Sequence, residues 1–135
     1  MEATKSIVIG ATPSDVYRAC TDFESLPAIL KNVRSVERTG DTTSHWIVEG
    51  PAHTTLEWDA EWTRLEPGKR IAWNTYSDGD IKTSGQVTFN PLPHDQTELT
   101  LMLKVVSDEV ERSWDETEKI LDGNLRALKT SLEKK

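Results

Sequence analysis

Three histidines, one cysteine, a run of alternating carboxylates and a few isolated polar side chains are what this chain offers to chemistry. His45, His53 and His94 are too few and too widely spaced to form a metal site, and the lone Cys20 adds no second soft ligand. His45 falls opposite Trp46 in strand parity and faces outward, His53 sits by a Gly-Pro turn, and His94 lies in a Pro-rich loop. All three read as surface histidines, so neither a metal ion nor a cofactor is expected. The glycines come one per turn, as hairpins need, with no phosphate-cradling loop. No elbow motif pairs a Ser or Thr with a base. Glu57, Asp59 and Glu61 have the clustering for acid–base work, but alternation turns them away from Trp58 and Trp62, onto a solvated face.

Two groups of side chains remain. Arg64 continues the inner parity of Leu56 to Trp62 and could reach a pocket mouth as partner to a carboxylate or enolate, the alternative being a rim salt bridge. Tyr17, Asn74 and Tyr76 could supply hydrogen bonds to a bound carbonyl. The second group is aromatic. Five tryptophans occur in 135 residues, with Trp46, Trp58, Trp62 and Trp73 in one strand-rich stretch and Trp114 opening an amphipathic tail. Such indoles can fill the space between a sheet and a helix, or they can line a pocket and stack on a flat, greasy ligand. Lining is the reading taken. The expected ligand-contacting set is therefore Tyr17, Trp46, Trp58, Trp62, Arg64, Trp73, Phe89, Leu101 and Trp114.

Composition bounds the class. The length suits a single domain, 1–135, able to bury a core without staples. A net charge of −7 argues against a nucleic-acid partner, because phosphate binding needs clustered Lys and Arg. Residues 41–80 carry three basic and eight acidic side chains, so the central strands are the acidic part. No apolar run approaches the roughly 20 residues that span a bilayer, and membrane insertion is not expected. With one cysteine and no signal-peptide pattern at the amino end, the expected location is cytoplasmic.

The elements that hold these residues follow from periodicity. Lys5 to Gly10 alternates as a first strand. Thr12, Pro13 and Asp15 then start a short helix, and Asp22 restarts a second turn that Pro27 interrupts, giving a broken helix pair over about 13–31. Period two takes over from Val33, with strands at 33–39, 43–49, 54–65, 69–76, 82–90 and 96–106. Leu56, Trp58, Ala60 and Trp62 share an inner face with Trp46 and Val48, Ile71 and Trp73, Val87 and Phe89, and Leu99 through Val105 in steps of two. One apolar row per strand demands one covering layer. From Asp108 onward, Val110, Trp114, Thr117, Leu121, Leu125, Leu128 and Leu132 recur every three or four residues, predicting a helix of about 24 residues, ~36 Å long. Gly123 lies inside that pattern, which suggests a close approach to a strand.

This order resembles the helix-grip (START/Bet v 1-like) fold of the START-like superfamily, an α+β fold. It has a curved antiparallel sheet around a long C-terminal helix, with two short helices after the first strand. More narrowly it resembles the bacterial polyketide cyclase/dehydrase group, which includes coenzyme Q-binding START-type proteins. The likeness is carried by Ala11, Pro13, Val16, Tyr17, Thr21 to Glu24, Pro27, Val33 to Val36, His45, Trp46, Gly50 and Pro51. It continues through Glu57 to Ala60, Ile71, Trp73, Gly85, Val87 and Phe89. These are turn and packing residues, so the resemblance implies a ligand class and brings no nucleophile or metal ligand with it.

Three functions fit. The first is binding of a small hydrophobic or aromatic molecule, such as a lipid, quinone or polyketide-like compound, between sheet and tail helix. The second is a cyclase or dehydratase acting in the same cavity, and the third is a protein-interaction module with a filled core.

Overall fold

A computed structural model describes residues 2–50, 53–75, 82–106 and 112–133. Seven strands form one antiparallel sheet: β1 (Glu2–Ile9), β2 (Val33–Arg38), β3 (Thr43–Glu49), β4 (Thr55–Glu66), β5 (Arg70–Thr75), β6 (Lys82–Leu92) and β7 (Gln96–Val106). Their spatial order is β1-β7-β6-β5-β4-β3-β2, so β2 to β7 run as a meander and β1 returns to pair with the last strand. Between β1 and β2 lie α1 (Pro13–Thr21), a 3-10 turn at Phe23–Ser25 and the short α2 (Leu26–Ile29). The chain closes with α3 (Trp114–Glu133). This is the α+β helix-grip arrangement expected from the sequence. No helix among the described residues is long and apolar enough to cross a membrane.

Local chemistry explains the breaks. Thr12 caps α1 by accepting a hydrogen bond from the Asp15 backbone N–H at 3.3 Å, and Pro13 occupies the first turn, where its missing donor costs nothing. Pro27 plays the same part in α2. It stands in the first turn of that helix instead of interrupting the turn begun at Asp22, which corrects the expectation. α3 spans 20 residues, or about 30 Å, and the part of the expected helix at 108–111 falls outside the described residues.

The core has two centres on one concave face. Phe23, Leu26, Val33, Val36, Val48, Leu56 and Val105 form the first, and Ile9, Val16, Ile71, Phe89, Leu99, Leu125, Leu128 and Leu132 the second. Val33 and Val36 are both buried although they stand three apart, which strict alternation forbids. A bulge at Arg34 resolves this: Val33 pairs with Val48 and Ser35 with Ile47, so one extra residue resets the parity. Gly123 on α3 is exposed, with nothing within 4 Å of the point a Cβ would occupy. The expected close approach is absent because the glycine lies on the solvent side of the helix.

Candidate functional site

Between the concave face of the sheet and α3 lies a cavity of about 300 Å³. One wall is aromatic. Trp46 and Trp58 are cross-strand partners on β3 and β4, with near-parallel rings 6.0 Å apart. Trp62 and Trp73, partners on β4 and β5, meet edge to face at 6.2 Å, and Trp46 joins the two pairs at 6.3 Å from Trp62. Phe23 stacks on Trp62 at 4.4 Å, with the Arg38 guanidinium over the Phe23 ring at 5.8 Å. Each indole is thus held by a neighbour, and the row is fixed before any ligand arrives. Trp46 is further anchored through Nε1, which donates to the buried Ser44 hydroxyl at 2.8 Å.

β7 supplies an aliphatic wall through Leu99, Leu101, Leu103 and Val105, and α3 closes the space with Thr117, Ile120, Leu121, Asn124, Leu125 and Leu128. Polar groups are sparse. Asn124 Nδ2 donates to Asn32 Oδ1 at 2.9 Å, and Asn32 Nδ2 donates to the Glu49 carbonyl at 3.3 Å. Glu49 is the one formally charged side chain among the described residues of the lining. Its carboxylate accepts from Arg34 at 2.9 Å and pairs with His53 Nδ1 at 2.8 Å, and these two contacts, His53 foremost, hold its pKa below the ordinary carboxylate value. Cys20 also lines the cavity. Burial pushes its thiol up to about 12. It is protonated at neutral pH and carries no charge into the pocket.

The sequence-expected residues separate into two sets. Trp46, Trp58, Trp62, Trp73 and Leu101 stand on the cavity wall. Tyr17 and Phe89 do not: they pack edge to face at 5.8 Å in the second core centre, where α1 covers the sheet. Trp114 packs against the first core centre, off the lining. Arg64 is exposed and turned away. A second bulge, at Thr63, is the cause, since Trp62 pairs with Trp73 but Arg64 with Ala72, so the parity flips between them. Asn74 is exposed, and Tyr76 lies outside the described residues.

The carboxylate cluster faces outward as alternation requires. On that outer face His45 Nδ1 meets Asp59 at 2.8 Å and Nε2 meets Glu57 at 3.6 Å. The Asp59 hydrogen bond chiefly raises the His45 pKa above its usual 6.5, against a smaller desolvation effect. His53 is 92% exposed, and His94 is likewise exposed. Among the described residues no group of three or more His, Cys, Asp or Glu side chains is placed to hold a metal ion.

A sheet clasping a C-terminal helix around an apolar space invites comparison with known families, and the family model described as polyketide cyclase / dehydrase and lipid transport matches residues 1–134. The chain belongs to this polyketide cyclase/dehydrase family. An uncharacterized 17.2 kDa protein of Streptomyces lincolnensis is 34% identical to it over 119 residues, covering 87% of this chain and 73% of the relative. A Deinococcus radiodurans protein of known crystal structure is 33% identical with a TM-score of 0.74, over 93% of this chain and 92% of that one. The Zhui aromatase/cyclase from Streptomyces sp. R1128 shares the fold at 17% identity and a TM-score of 0.83, over 98% and 93% of the two chains. A START superfamily protein from Mycobacterium smegmatis does so at 18% and 0.81, over 98% and 97%.

In this polyketide cyclase/dehydrase-family chain, sequence reasoning passed over Thr83, Asn32 and Asn124 on the cavity wall. Two of them carried a signal. Thr83 shares the inner parity of Gly85 and Val87 on β6, and Asn124 falls at i+7 from Thr117 on the apolar stripe of α3. Asn32 sits in a connection, where periodicity says nothing.

Proposed function

We propose that this protein binds a small apolar or aromatic molecule in the cavity between its sheet and α3. The observation that carries this reading is the unfilled space of about 300 Å³ beside four mutually braced tryptophans. That volume is at the lower end of the roughly 300–1,000 Å³ usual for small-molecule sites. Burial of ligand surface at about 25 cal/mol per Å² would drive association, and the sparse polar groups would set orientation. Family membership and the shared fold support a ligand-binding role and leave the ligand's identity to chemistry.

Binding is favoured over catalysis by the placement of the polar candidates. Arg64 and Asn74 are exposed, and Tyr17 is committed to Phe89, which leaves no ionised side chain beyond the paired Glu49 on the described wall. A filled interaction core is disfavoured by the open volume. Titrating tryptophan fluorescence with quinones, lipids and fused-ring aromatic ketones tests the proposal. Saturable quenching or a spectral shift is expected for at least one class, and a flat response to all of them would overturn it.

A further inference from the structure

Thr83 is 7% exposed, lies on the cavity wall and has its backbone satisfied by another side chain. Thr75 Oγ1 accepts from the Thr83 N–H at 2.8 Å and donates to the Thr83 carbonyl at 2.8 Å. The Thr83 hydroxyl itself has no partner among the described residues. No side-chain N or O atom among them is both sealed and unpartnered, so this hydroxyl keeps its access to the cavity. A hydroxyl left unpaired in an apolar surrounding is unfavourable, and a ligand oxygen would give it a partner.

Charge narrows the ligand further. The described lining holds no Lys or Arg, and its one carboxylate, Glu49, is already engaged by Arg34 and His53. A carboxylate or phosphate placed inside would lie unpaired against indoles and aliphatic side chains, which desolvation disfavours. A cation would find aromatic faces but no free counter-charge.

Resting on the binding role proposed above, the geometry points to a ligand that is electrically neutral and carries a hydrogen-bonding oxygen, with Thr83 as the specificity-determining residue that meets it. Ketones, quinones and alcohols on a compact hydrocarbon frame belong to this class. Fatty acids and phosphate esters do not.

A matched probe series tests this: tetralin, α-tetralone, tetralin carboxylate and a trimethylammonium tetralin, each titrated by tryptophan fluorescence at neutral pH. Wild-type protein is expected to bind α-tetralone about 3–10-fold more tightly than tetralin, the worth of one hydrogen bond. Both charged probes should bind more weakly than tetralin. Thr83→Val should abolish the ketone preference, read as the ratio of ketone to tetralin affinity within the same variant, and Thr83→Ser should retain it. The assignment is overturned if the preference survives in Thr83→Val, or if either charged probe binds as tightly as the ketone. These comparisons within the wild-type series stand even if a variant folds poorly. Failure of tetralin itself to bind would instead remove the underlying container reading.

Discussion

Asn32 and Asn124 stand 92 residues apart in the chain and join side chain to side chain at 2.9 Å, tying the entry to β2 to the middle of α3. Asn32 also donates to the Glu49 carbonyl, so the closing helix, the α2–β2 connection and the end of β3 meet through one amide. Replacing either asparagine by Ala should destabilise the fold, and a double-mutant cycle in urea should return a coupling of about 1 kcal/mol. Asn32→Ala should cost more than Asn124→Ala, because it breaks two contacts. Strict additivity would show that the amides do not act together.

Gly123 should be replaceable with profit. It is helical, exposed and has open space where a methyl group would go, so Gly123→Ala should add about 0.5–1 kcal/mol and raise the thermal midpoint by about 3 °C. Calorimetry would measure it, and a lowered midpoint would mean the helix needs that glycine.

Gly85 behaves oppositely. A Cβ there would collide with the Met102 carbonyl oxygen and stand 3.1 Å from the Trp73 ring, which lies across the glycine. Gly85→Val should therefore destabilise by about 2–3 kcal/mol and shift the tryptophan emission. Chemical denaturation monitored by fluorescence reads both quantities, and an unaltered spectrum would contradict the packing of Trp73.

The Cys20 thiol, pushed up to about 12 by burial, should be alkylated by iodoacetamide at least about tenfold more slowly in the native state than in urea. Mass spectrometry of timed samples would follow this. Native reaction at the unfolded rate would show the thiol open to solvent.

His45 should titrate above 6.5 by NMR, and Asp59→Asn should bring its midpoint back toward that value. A base whose pKa is raised by folding contributes stability that is complete below its unfolded pKa and lost as pH rises through its folded one. The His45–Asp59 contact should thus help the fold below about pH 6.5 and cease to do so in alkali. An unchanged midpoint in Asp59→Asn would assign the shift to other charges.

Much of this architecture was legible because period-two alternation and turn residues mark hairpins strongly. The six expected strands after Val33 match those observed to within two residues at each end, and the four strand tryptophans face inward as expected. The features that escaped were local and physical. Nothing in the residue types at Arg34 or Thr63 announces a bulge, yet each resets the facing of the residues beyond it, and the second turns Arg64 out of the pocket. Tyr17, Phe89 and Trp114 were rightly apolar-facing but belong to neighbouring core regions, because alternation gives the side of a sheet and not the place along it. Thr83 and Asn124 were hidden by their polarity, since a search for greasy faces discards the few groups that recognise a ligand.

The last turn of α3 reaches back to the start of the chain: Lys129 Nζ donates to the Val8 carbonyl at 2.7 Å, and the Gly10 N–H donates to Glu133 at 2.7 Å. β1 is the outermost strand on its side of the sheet, and such a margin is a template on which further chains can assemble. Loss of the final helical turn would accordingly do more than loosen a clamp. It would bare two main-chain groups at that margin, so a shortened protein should associate through it more readily than the intact one.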